Sequence, residues 1–109
     1  MQQYKLFLDD LREVSWVYPD DDPMDWIVCR SYAEAVSLVF TLGFPSVVSF
    51  DHDLGDSESG FDFAKKLVEI DLDYGIMPED FAYVVHSANP IGAANIRGLL
   101  ENYLNSKKE

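Results

Sequence analysis

The stretch Val47-Val48-Ser49-Phe50-Asp51-His52-Asp53-Leu54-Gly55 decides the fold. Its first four residues form a short, nearly continuous apolar run, and the run stops abruptly at Asp-His-Asp. A strand without polar alternation is buried on both faces, as in a parallel sheet. Three further runs have the same character, at residues 4–8, 26–29 and 81–85. All are short and rich in β-branched or aromatic residues.

Helical segments fill the gaps or follow the last run. Ser31-Tyr32-Ala33-Glu34 has the spacing of a capping box, and Ala35, Val36, Val39 and Phe40 continue it until Gly43 and Pro45. A second helix is expected from near Gly60, with Phe63, Leu67, Ile70 and Tyr74 on one face and Gly75 as its stop. A third begins with Asn89 as N-cap and Pro90 at the first helical position, carrying Ile96, Leu99, Leu100 and Tyr103. Residues 11–25 hold Pro19, Pro23 and Asp20-Asp21-Asp22, and are expected to be mostly loop with at most a short helical turn. Alternating strands and helices imply one α/β domain over residues 1–109. The sheet should be four-stranded and parallel, in order 2-1-3-4, with right-handed crossovers and helices on both faces.

The 109 residues are 48% hydrophobic, enough for one core without disulfides. The single cysteine, Cys29, lies in an apolar run and is expected to be a buried small hydrophobe. The net charge of −12 repels nucleic acid backbones and anionic membranes, so neither is an expected partner. The N-terminus lacks the pattern of a signal peptide, and no apolar run is long enough to span a bilayer. The expected location is cytoplasmic, in a bacterium or as a phage product.

In a parallel sheet, the polar residues after each strand share one edge. Here they are Asp9, Asp10 and Arg12; then Arg30; then Asp51, His52 and Asp53; then His86, Ser87 and Asn89. If the first and third strands are neighbours, Asp9, Asp10 and Asp51 converge at the switch point where open α/β sheets bind ligands. Three carboxylates so placed call for a cation. Hard oxygen donors suit Mg²⁺ best, and nearby histidines also permit Mn²⁺. Taken alone, Asp9 and Asp10 read equally well as a helix cap and a surface acid. An all-helical His-Asp metal phosphohydrolase is discounted, because His52-Asp53 follows a strand.

The run Leu6-Phe7-Leu8-Asp9-Asp10 resembles the first strand and acidic pair of response-regulator receiver domains, which have a flavodoxin-like three-layer sandwich. Residues 48–54, with Gly60 beyond, resemble their phospho-acceptor strand and loop, and residues 84–88 their fourth strand. The resemblance implies that Asp9 and Asp10 hold Mg²⁺ and that Asp51 is the acceptor position. It further implies that the Asp53 backbone carbonyl completes the metal shell and that Ser87 contacts a phosphoryl oxygen. Two features depart from it: the fifth strand with its lysine is lacking, and an acidic loop replaces the first helix. Asp51-His52-Asp53-Leu54-Gly55 and His86-Ser87-Ala88-Asn89-Pro90 are more similar to the cyclic-phosphate-processing receiver domains.

Two functions follow as expectations. One is a metal-dependent phosphoesterase acting on a cyclic phosphate of a nucleotide or ribose derivative. In it His52 and His86 would serve as general base and acid. Ser87, Asn89, Arg12 and Arg30, or Arg97, would hold the small phosphorylated substrate. The other is a non-catalytic signalling or protein-binding module with Asp51 as acceptor and a protein partner.

Overall fold

The computed structural model describes residues 3–108. The elements are β1 (Lys5–Leu8), α1 (Val14–Val17), a 3-10 turn (Pro23–Asp25), β2 (Trp26–Cys29), α2 (Tyr32–Leu42), β3 (Val47–Phe50), α3 (Gly60–Tyr74), β4 (Ala82–Val85) and α4 (Pro90–Lys107). The four strands are parallel, in order β2-β1-β3-β4, as expected. Among the described residues, no helix is long and apolar enough to cross a membrane.

Alternation along the strands sorts the core into two unequal layers. Leu6, Leu8, Val48 and Phe50 point to one face, where they meet Ala35 and Val39 of α2, Phe63, Leu67 and Ile70 of α3, and Ile96 and Leu100 of α4. Burying so many large side chains, each worth about 1.5–3 kcal/mol, is the main stabilising term. Phe7 points to the other face and packs with Val14 and Trp26, with Val17 and Tyr18 alongside. Helices do lie on both faces, but the second layer is thin. It consists of α1, one turn long, with the loop and 3-10 turn that follow. Val84 remains 44% exposed.

Each long helix has a local reason to start where it does. Ser31 accepts from the Glu34 N–H, but Glu34 Oε1 takes the Arg30 N–H instead of closing a full box. Ser59 and Asp62 form the reciprocal capping box that opens α3. Asn89 caps α4 by accepting from the Gly92 N–H, with Pro90 next. Phe40 and Tyr74, read from the sequence as apolar positions of α2 and α3, are exposed and line an apolar cavity of about 720 Å³ at the N-terminal edge of the sheet. Cys29 is buried, and burial followed by the charge of Glu34 pushes its thiol up to about 11. At neutral pH it is therefore a thiol and not a nucleophile.

Candidate functional site

Register assembles the site. Leu8 pairs with Phe50, and Phe50 with Val85, so the next residues Asp9, Asp51 and His86 form a row. The ladder runs on through them. The Asp51 N–H donates to the Leu8 carbonyl at 3.0 Å, and the His86 N–H to the Phe50 carbonyl at 2.9 Å. Asp10 joins from the turn after β1. Gly55 allows its approach, being left-handed at φ +64°, and a Cβ there would come within 3.1 Å of Asp10 Oδ2. Asp9, Asp10 and Asp51 each offer an oxygen within 4.8 Å of the other two. The donor set is three hard carboxylates, which fits a divalent cation of the Mg²⁺ or Mn²⁺ type.

The three acids differ. Asp9 is 1% exposed and accepts four hydrogen bonds. Oδ1 takes the backbone N–H groups of Leu11 at 2.9 Å and Arg12 at 2.8 Å. Oδ2 takes Arg12 Nη1 at 3.1 Å and His86 Nε2 at 2.9 Å. Burial pushes its carboxyl up, but these donors together outweigh burial and hold it below the usual carboxylate range. Asp51 is raised instead, first by burial and then by the charge of Asp9. Arg12 Nη1 lies 3.1 Å from Asp9 and 3.8 Å from Asp51, so one guanidinium spans both carboxylates. A cavity of about 370 Å³ opens over this cluster, lined by Asp9, Asp10, Arg12, Asp51, Asp53 and Gly55 with neighbouring Leu11 and Ala88.

Neither histidine lines that cavity. The His86 side chain is 4% exposed and lies beneath the cluster. It stacks on Phe7 with ring centres 4.7 Å apart and a 2° angle between planes. Both ring nitrogens are engaged, Nε2 with Asp9 and Nδ1 with Ser49 Oγ at 2.7 Å. Burial lowers its pKa against the pull of Asp9 and Asp51, which favours the neutral ring. As placed, the ring orients Asp9 and does not face a substrate. His52 sits to one side, over the start of α4, where a Cβ on Gly92 would lie 2.2 Å from its Cγ. Its Nδ1 donates to Asp53 Oδ1 at 2.9 Å, so in a neutral ring Nε2 keeps the lone pair.

The remaining candidates divide the same way. The Asp53 side chain is outside the triad of possible ligands and turns to His52 and Asn89, whose hydrogen bonds lower its pKa. Asn89 Nδ2 reaches Asp53 Oδ2 at 3.3 Å while its Oδ1 caps α4. Ser87 Oγ accepts from the Asn89 N–H at 3.0 Å and shapes the turn before α4. Arg30 clamps the loop instead of lining the cavity. It donates to the carbonyls of Asp9 at 3.1 Å and Arg12 at 2.6 Å, and pairs with Glu13. Arg97 lies in a separate groove along β4. Sequence reasoning missed Ser49 and Tyr18. Ser49 carried a signal, as the one hydroxyl in an otherwise apolar strand; Tyr18, inside an irregular loop, carried none.

A parallel sheet in this order, with an acidic cluster at the carboxyl ends of β1 and β3, defines a receiver-like α/β domain. Residues 4–102 match the family described as the cyclic-phosphate processing receiver domain, and the chain belongs to that family. Comparison with curated proteins gives no match. Among solved structures, the chain resembles a fusion whose title names a yeast Spc42 trimeric coiled-coil segment. The identity is 13%, the TM-score 0.51, and the match covers 99% of this chain and 81% of that one. At that identity the likeness concerns the fold alone.

Proposed function

We propose that this domain binds a divalent cation through Asp9, Asp10 and Asp51 and acts as a metal-dependent phosphoesterase on a cyclic phosphate of a nucleotide or ribose derivative. The observation that carries the proposal is the convergence of three carboxylate oxygens within 4.8 Å at adjacent strand ends. Mg²⁺ is the expected ion and Mn²⁺ a substitute. Once bound, such an ion would neutralise phosphate charge and acidify water. Arg12, 35% exposed at the cavity, is the side chain to grip a phosphate oxygen. His52, oriented through Nδ1 by Asp53, has the basic nitrogen for proton transfer, and Asn89 and Ser87 hold the turn that bonds to Asp53. His86 is assigned to holding Asp9, in place of the acid–base role that the sequence reading gave jointly to His52 and His86. A cavity of about 370 Å³ suits a small phosphorylated ligand and not a polymer. A cytoplasmic setting, where nucleotide-derived phosphates are made, belongs to this proposal.

One observation favours the second reading, a ligand- or protein-binding module: neither imidazole lines the cavity. The test is a panel of 2′,3′-cyclic, 3′,5′-cyclic and ADP-ribose cyclic phosphates, followed by phosphorus NMR with and without Mn²⁺. The expected result is Mn²⁺-dependent opening of one ring to a monoester, lost in Asp51→Asn and reduced about 10²–10⁴-fold in His52→Ala. No turnover with metal bound, together with a lasting adduct on Asp51 from a small phosphodonor, would select the binding module.

A further inference from the structure

A partly buried chain of hydrogen bonds runs from the crossover loop to the acidic cluster. Tyr18 Oη lies 2.7 Å from Ser49 Oγ, Ser49 Oγ lies 2.7 Å from His86 Nδ1, and His86 Nε2 lies 2.9 Å from Asp9 Oδ2. With the ring neutral, chemistry fixes its direction. Asp9 is a carboxylate and can only accept, so the proton on a neutral ring sits on Nε2. Nδ1 must then accept, so the Ser49 hydroxyl donates to it. The Ser49 oxygen in turn takes the Tyr18 proton. All donors point toward Asp9, and aligned hydrogen bonds polarise one another.

The surroundings leave the ring one pose. Phe7 stacks flat against it and prevents tilting. Rotation about the ring axis would break the bonds at both nitrogens together. Ser49 is 0% exposed at the centre of the sheet, and Tyr18 is held by stacking on Trp26 with centres 5.3 Å apart and planes 3° from parallel. A buried hydroxyl satisfied only for its own sake needs one partner. Ser49 has two, arranged in series between Tyr18 and the ring.

We infer that Ser49 and Tyr18 are positioning residues for the cation site, acting through His86 to set the orientation of the Asp9 carboxylate. The inference rests on the proposed role of Asp9 as a cation ligand. Partners one step behind a ligand typically change metal affinity about 10–100-fold.

The experiment uses the whole chain and Mn²⁺ as probe. Calorimetry gives the affinity of wild type, Ser49→Ala, Ser49→Thr and Tyr18→Phe, and ¹⁵N NMR of the His86 ring reads its tautomer. The expected result is about tenfold weaker Mn²⁺ binding in Ser49→Ala, with loss of the single Nε2–H tautomer. Ser49→Thr keeps the hydroxyl and should recover both. Tyr18→Phe, which removes one oxygen and leaves the aromatic packing, should weaken binding less than Ser49→Ala. Wild-type affinity in Ser49→Ala and Tyr18→Phe, with both folded, would overturn the inference and leave the cation site standing. No Mn²⁺ binding by the wild type would overturn the cation site itself and the inference with it.

Discussion

Asp9 and Asp51 are neighbours with opposite pH signs. Burial and the charge of Asp9 raise the Asp51 carboxyl above its ordinary 3.8. The folded chain therefore holds that proton more tightly than the unfolded chain, and this residue's contribution to stability rises as pH falls from neutral toward 3.8. Asp9 titrates below 3.8 when folded, so its contribution is present above that value and lost as pH falls through its lower folded pKa. Asp51→Asn removes the first effect and relieves Asp9 of a like charge. In chelator, urea unfolding of the variant at about pH 7 should give stability equal to or above wild type, and the advantage should shrink as the pH falls toward 3.8. A variant less stable than wild type at neutral pH, with the gap closing on acidification, would contradict the assignment. The acids were legible from sequence because each follows a strand, and strand ends in a parallel sheet share an edge. The task of His86 was not. It depends on which face the residue takes, and that face places its ring over Phe7 and Ser49 and away from the cavity.

The starts of α3 and α4 fix the loops that carry the site. Within α4, two glycines make opposite predictions. A Cβ on Gly92 would lie 2.2 Å from His52 Cγ, whereas a Cβ on Gly98 meets nothing within 4 Å. Gly92→Ala should cost about 1–3 kcal/mol through overpacking and should shift the His52 NMR signals. Gly98→Ala, in an exposed helix interior, should stabilise by about 0.4–1 kcal/mol. Equal effects of the two in chemical denaturation would mean that His52 does not pack on α4. Strand order and helix locations were readable from apolar runs and the Asn89-Pro90 cap. The thinness of the second layer was not, because composition does not say how far a loop such as residues 11–25 spreads over a sheet. One of its anchors is the Tyr18 hydroxyl meeting Ser49, a long-range contact without a local pattern.

The whole molecule carries a charge of −12, with much of its acid on exposed loops. Self-repulsion of this kind destabilises the compact state, and it is most costly where carboxylates are buried together. A divalent cation at Asp9, Asp10 and Asp51 would relieve both, so cation binding should appear as folding stability. The far end of the fold has its own answer to the same problem. Asp71 is buried there and bonded to the Met77 N–H, Tyr103 and the Lys107 ammonium, which ties α3 to α4 through protein donors. The contrast directs the most direct test to the strand ends. It is the thermal unfolding midpoint of wild type, Asp10→Asn and Asp51→Asn, each with chelator and with saturating Mg²⁺ or Mn²⁺. The account predicts a rise for wild type that grows with metal concentration, reaching the equivalent of about 2.7 kcal/mol at a hundredfold excess over Kd, and no rise in either variant. The same rise in all three proteins, or none in wild type, would contradict it.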